Sequence, residues 1–182
     1  MTMPSNPTRV LVLDTMCLSQ FVKADRFDEL QDLLVDSECW TTRAVIEELR
    51  AGSAAYPALS VAFGVDWLNV EQLDTLAEIK CFMKWATRLG AGDRDLGEAS
   101  VIAAAELRAG VALTDDRDAT RVARKYGADV HGTIWLLARA CRDGKLAEFG
   151  AGNLIDALRA TGARLPCTGA EFGGYARRHG LL

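Results

Sequence analysis

Four carboxylates, Asp14, Glu48, Glu98 and Asp116, stand where a strand ends or an amphipathic helix begins. Though far apart along the chain, residues placed this way can converge in space. Like charges a few ångströms apart repel strongly, so a carboxylate cluster is unfavourable unless something divalent sits among them. These residue types therefore point to a metal site built from hard oxygen ligands. No other reactive constellation competes. His131 and His179 are too few for a zinc cluster and suggest no Ser-His or Cys-His pair, and His131 reads as structural. The five cysteines, Cys17, Cys39, Cys81, Cys141 and Cys167, are odd in number, widely spaced and free of C-x-x-C, which argues against a disulfide framework or a zinc knuckle. Most read as small buried apolar residues.

The elements that must position the acids follow from periodicity. Arg9-Val-Leu-Val-Leu-Asp14 is an apolar run too short for a helix and rich in β-branched residues, hence a buried central strand ending at an acid. Open α/β sheets hold ligands beyond the carboxyl ends of their strands; the competing role for Asp14 is a helix N-cap. Helices are predicted at Met16–Val22 and Phe27–Val35, a short strand at Cys39–Thr41, and a helix from Arg43 to Ala51 ended by Gly52. On that helix Glu47 shares a polar face with Arg43 and Arg50, whereas Glu48 lies with Ala44, Val45 and Leu49 and turns toward the core.

Residues 53–64 read as a helical or loop connection, Val65–Val70 as extended, Leu73–Leu89 as a long helix and Gly90–Arg94 as a loop. A helix over Asp95–Ala109, a strand at Val111–Thr114, a helix at Arg117–Tyr126 stopped by Gly127 and a strand at Ala128–Val130 come next. Helices at Thr133–Arg142 and Asn153–Ala160 follow, and the tail from Pro166 to Leu182 holds a final one. This alternation predicts an α/β fold with a central parallel sheet. Asp95 and Glu98 have capping-box spacing, yet Glu98 also shares the apolar side of its helix with Val101, Ile102 and Ala105. Asp116 is placed either as a ligand or as an N-cap, with Asp118 in the first turn favoured by the helix dipole.

The 182 residues, 49% hydrophobic and 25% charged, suit one soluble domain with a real core. MTMPSNPTRV lacks the features of a signal peptide, and no apolar run reaches the roughly 18 to 20 residues of a membrane span, so a cytoplasmic protein is expected. The net charge is −4, unevenly divided: residues 1–100 carry 9 Lys and Arg against 16 Asp and Glu, residues 101–182 carry 12 against 9. Arg117, Arg121, Arg124, Lys125, Arg139, Arg142 and Lys145 then form either a phosphate-facing stripe or a solvated helix surface.

In order along the chain, Leu13-Asp14-Thr15, Val45-Ile-Glu-Glu48-Leu49 with Gly52 after it, Leu96-Gly-Glu98-Ala99 with Ile102-Ala103, and Leu113-Thr-Asp-Asp116-Arg-Asp118 resemble the acidic motifs of the PIN-domain family. His131-Gly-Thr133 resembles its Gly-Thr after a late strand. The resemblance covers residues 9–145 and implies a single three-layer α/β/α domain, with a helical C-terminal extension over 146–182. It further implies a Mg²⁺- or Mn²⁺-dependent ribonuclease hydrolysing RNA phosphodiester bonds. Asp14, Glu48, Glu98 and Asp116 would be its catalytic acids, with Asp14, Glu98, Asp116 and Asp118 on the metal. Thr15, Thr114 and Asp115 would support them, while Arg117, Arg121, Arg124 and Lys125 hold flanking phosphates in a salt-sensitive way. A metal-held water as nucleophile would make a protein nucleophile unnecessary. Glu98 stands where many relatives have Asp.

The motifs also look like those of bacterial VapC-type toxins, which implies a cognate antitoxin and a homodimer. The stretch after Lys145 departs from a compact toxin and is free to dock a partner, cover the site or complete a dimer interface. Two other classes compete. A haloacid-dehalogenase-type phosphatase needs a second Asp two residues after the first, and Met16 occupies that position. The alternative that stands is a non-catalytic PIN-like scaffold binding RNA or protein.

Overall fold

The computed structural model describes residues 9–90, 92 and 96–182. In chain order these hold β1 (Arg9–Leu13), α1 (Thr15–Lys23), α2 (Phe27–Leu34), β2 (Ser37–Thr42), α3 (Arg43–Ser53), a 3₁₀ turn (Pro57–Ala62), β3 (Leu68–Glu71) and α4 (Leu76–Leu89). Then come α5 (Leu96–Leu107), β4 (Val111–Leu113), α6 (Arg117–Lys125), β5 (Val130–His131), α7 (Thr133–Arg142), α8 (Glu148–Ala160) and α9 (Phe172–Arg178).

The five strands form one parallel sheet in the order β3-β2-β1-β4-β5. β1 is central, and Leu11, Val12 and Leu13 are wholly buried, which is why this strand reads as a continuous apolar run and not an alternating one. The chain walks outward from β1 to β3, then returns across the sheet to β4. The carboxyl ends of β1 and β4 therefore flank the point where strand order reverses, where such sheets open a crevice. Right-handed crossovers place connections running in opposite directions on opposite faces. Accordingly α4, α5 and α6 pack together, with α5 against β1, β2 and β4, while α7, α8 and α9 pack on one another, α2 against α7 and α1 against α8.

Several boundaries differ from expectation for identifiable reasons. Gly52 does not end α3, which runs to Ser53; a Cβ there would lie 3.1 Å from Leu59 Cδ1, so this glycine admits the 3₁₀ turn. α4 begins at Leu76 because Thr75 and Glu78 form a capping box. β5 is Val130–His131, not Ala128–Val130, and pairs Val130 with Ala112 and His131 with Leu113. α8 starts at Glu148, five residues before the predicted Asn153, its first turns weakened in propensity by Gly150 and Gly152. α5 was expected to show one apolar side, yet Gly97 and every residue from Ala99 to Ala105 are buried. The predicted cap Asp95 and most of the Gly90–Arg94 loop lie outside the described residues; Gly90 ends α4 with a left-handed φ of 65°.

The C-terminal helices belong to the same core: Ile155 and Leu158 of α8 and Phe172 of α9 are fully buried with it, each contributing roughly 1.5–3 kcal/mol. Among the described residues no helix is long and apolar enough to cross a membrane.

Candidate active site at the carboxyl edge of the sheet

Asp14 is the first residue beyond β1 and is only 1% exposed. Its backbone N–H extends the ladder to Leu113 O at 3.0 Å, and its carboxylate accepts from Thr15 N at 2.6 Å and from the Thr114 hydroxyl at 3.0 Å. Asp14 thus caps α1. Burial first, then the nearby charges of Glu98 and Glu48, push its carboxyl up to about 7, against the opposing pull of the bonds from Thr114 and Thr15. Three of the four predicted acids therefore share one electrostatic neighbourhood.

Glu48, half-buried on α3, accepts a hydrogen bond from the Thr15 hydroxyl, which ties the start of α1 to the second turn of α3. Glu47 faces solvent and pairs with Arg43 at 2.9 Å. Gly97 sets the approach of α5: a Cβ at this position would stand 2.8 Å from Glu48 Oε2 and 2.9 Å from Glu48 Cδ. The same helix is pinned by a relay in which Thr42 Oγ1 lies 2.6 Å from Ser100 Oγ, and the Ser100 hydroxyl donates to Gly97 O at 2.7 Å. Glu98 is thereby carried to the site in the first turn of α5.

Asp116 does cap α6, accepting from Ala119 N at 2.6 Å, and its own N–H donates to Thr114 Oγ1 at 3.2 Å. Thr114 thus couples the two strand ends, donating to Asp14 while accepting from Asp116. Asp116, Glu98 and Asp118 line one cleft of about 420 Å³. Asp118 stands at its rim, exposed and paired with Arg121 at 2.9 Å. Asp115 turns the other way, toward α7, accepting from Thr133 N at 2.7 Å and from the Thr133 hydroxyl at 2.6 Å. Burial raises its carboxyl above the ordinary range, partly offset by those bonds. Asp115 serves as the missing side-chain cap of α7, so its support of the cluster is indirect.

The basic stripe divides. Arg117, Arg121 and Arg124 line a groove beside Asp116, while Lys125 is not in that groove and lies over the Tyr126 ring. Arg139, Arg142 and Lys145 are at the end of α7 instead, where Arg139 reaches Ser37 and Asp143, Arg142 the Leu181 carbonyl, and Lys145 Asp36 at 3.0 Å. Ser37 begins β2, so these cations serve the amino edge of the sheet, away from the acids. His131 is structural, stacked on Trp135 at 4.2 Å and bonded to Asp129, with burial lowering its pKa. Four cysteines are buried, Cys141 is half-buried and all are unbridged.

Among the described residues no three acidic, histidine or cysteine side chains form a preformed metal cage. The donor chemistry still fits a hard divalent cation. A buried carboxylate facing two glutamates is relieved by positive charge, and Mg²⁺ binds through one or two carboxylates, waters and substrate phosphates instead of an all-protein cage. Residue-type reasoning gave no role to Gly97, Ser100 or Thr133. Gly97 and Thr133 nevertheless stood inside the quoted motifs, and Gly97 left a further signal as a poor helix former beside a core-facing glutamate; Ser100 left none.

A family model described as DUF3368, PIN domain, matches residues 10–170 and so runs past Lys145 into the segment after α8. Neither a curated protein nor a solved structure gives a significant match.

Proposed function

The chain belongs to the PIN-domain family, and from that premise we propose that it is a Mg²⁺- or Mn²⁺-dependent endoribonuclease whose centre is the carboxylate cluster around Asp14. The family fold is of the nuclease type. The observation that carries the finer reading is the burial of Asp14 beside Glu98 and Glu48, a charge arrangement that favours a bound cation. Asp14, Glu98 and Asp116 would hold the ion, with Asp118 at the rim. When bound, a divalent ion supplies Lewis-acid stabilisation of the phosphate and an acidified water.

The protein's own part is positioning. Thr15 fixes Glu48, Thr114 orients Asp14 and Asp116 together, and Gly97 lets the α5 turn approach Glu48. Cleavage of a mixed RNA pool with Mg²⁺ or Mn²⁺, beside EDTA controls and Asp14→Asn and Asp116→Asn, tests this reading. Metal-dependent cutting lost in both variants supports it; no cutting, or cutting that survives both, transfers the assignment to a non-catalytic scaffold. The toxin role, the cognate antitoxin and the homodimer rest on the VapC resemblance of the motifs. Growth arrest on expression, relieved by a co-encoded small protein, tests them.

A further inference from the structure

Beside the carboxylates lies a groove of about 510 Å³ whose lining includes Thr114, Asp115 and Asp116. Its walls bring together two parts of the chain, α6 with Arg117, Arg121 and Arg124, and the tail with Arg164 and Tyr175. In a protein of net charge −4, four arginines on one groove are a local concentration of positive charge.

The four are not equivalent. Arg124 donates from Nε and Nη2 to Val130 O at 3.1 and 2.8 Å, binding α6 to β5. Arg121 is paired with Asp118. Arg117 and Arg164 are exposed and, among the described residues, make no ion pair or hydrogen bond. Arg164 is nevertheless presented by an anchored segment. Arg159 Nη1 donates to Leu165 O at 2.8 Å, Leu165 and Cys167 are buried, and Gly169 N donates to Asp156 Oδ1 at 2.7 Å. Tyr175 is half-buried and its ring stacks on His179 at 4.1 Å, which holds it in place.

Two unpaired guanidinium groups and a supported aromatic ring, contiguous with a phosphodiester-cleaving centre, match the chemistry of an unpaired nucleotide. Guanidinium forks bind phosphate bidentately, and a base outside a duplex can stack on tyrosine. We propose that this groove is a subsite for single-stranded RNA, with the phosphate next to the cleaved position held by Arg117 and Arg164 and the adjoining base stacked on Tyr175. The substrate class rests on the ribonuclease reading. The subsite makes the tail a substrate-binding element.

The test is fluorescence anisotropy of a labelled single-stranded RNA decamer on the full-length Asp14→Asn protein, between 50 and 200 mM salt. Arg164→Ala and Arg117→Ala should each flatten the dependence of log K on log salt by about 0.7. Tyr175→Ala should weaken binding about 5- to 150-fold, with Tyr175→Phe restoring it. Unchanged melting temperatures for the two exposed arginine variants exclude misfolding as the cause. Wild-type affinity and salt slope in Arg164→Ala and Tyr175→Ala overturn the subsite, as does a preference for duplex RNA or for an acidic peptide. Binding is read on a non-cleaving background, so the two readings separate. Absence of cutting by the wild-type protein removes the nuclease while the arginine slopes still decide the groove. Intact cutting with unaltered slopes removes the groove alone.

Discussion

Replacing Asp14 by Asn should abolish activity and make the metal-free protein more stable. In the folded state burial, Glu98 and Glu48 raise the Asp14 carboxyl to about 7 from an ordinary value of 3.8. Between those values the folded protein holds a proton that the unfolded chain has released. The group's stabilisation is therefore complete below pH 3.8, declines as pH rises and is gone above about 7. The gap corresponds to about 4 kcal/mol of destabilisation at pH 8 in the absence of metal. Asn keeps one acceptor for Thr15 N but loses the oxygen that receives the Thr114 hydroxyl, a loss of about 1 kcal/mol. The variant should thus gain about 3 kcal/mol at pH 8 in EDTA, and the gain should shrink on acidification until it becomes a small deficit near pH 4. Urea unfolding of both proteins in EDTA at pH 4, 6 and 8 measures it. Added Mg²⁺ should raise the wild-type midpoint and leave the variant's unmoved. A variant less stable than wild type at pH 8, or a difference that ignores pH, refutes the electrostatic account of the site.

Gly97→Ala places a methyl group against the Glu48 carboxylate and should lower metal-dependent cleavage about 100-fold with the fold intact, as followed by initial rates and circular dichroism. Glu47→Ala should stay within about 0.5 kcal/mol of wild type and remain active, whereas Glu48→Gln should lose cutting; equal effects would contradict the assignment of faces on α3. Asp115→Ala removes the acceptor of both Thr133 bonds and should cost about 2–3 kcal/mol in chemical denaturation. Its Mg²⁺ titration of cleavage should match wild type, since Asp115 faces α7.

How much of this was legible in the chain differs by element. β1 was readable because a central parallel strand is buried on both faces and needs no alternation, and Asp14 marked its end. α7 was found at both ends because its glycine-preceded start and charged last turn are local signals. The assignment of Glu47 to solvent and Glu48 inward followed from spacing alone. Long-range partners were not readable. The motif resemblance set Asp116 and not Asp115 on the metal, but the pairing of Asp115 with Thr133, eighteen residues on, is encoded by no local pattern. The seven basic residues do not share one surface, for a topological reason: α6 begins and α7 ends at opposite edges of the sheet, so Arg117 and Arg121 are separated from Arg139, Arg142 and Lys145. α5 misled because alanine fits both a crowded interior and an exposed helix surface, leaving the extent of burial to tertiary packing.

The strand order has a consequence for synthesis on the ribosome. β1 pairs on one side with β2, from the same early stretch, but its other side is occupied by β4, about one hundred residues later. A nascent chain that has emerged only as far as α5 already carries Asp14, Glu48 and Glu98, yet lacks Thr114 and Asp116 and leaves an edge of β1 unpaired. The last part of the cluster arrives only when β4 closes that edge, so the partly made chain has no assembled centre. Under the proposed ribonuclease activity, such an order would keep the template and machinery of translation away from a working nuclease until most of the sheet is built.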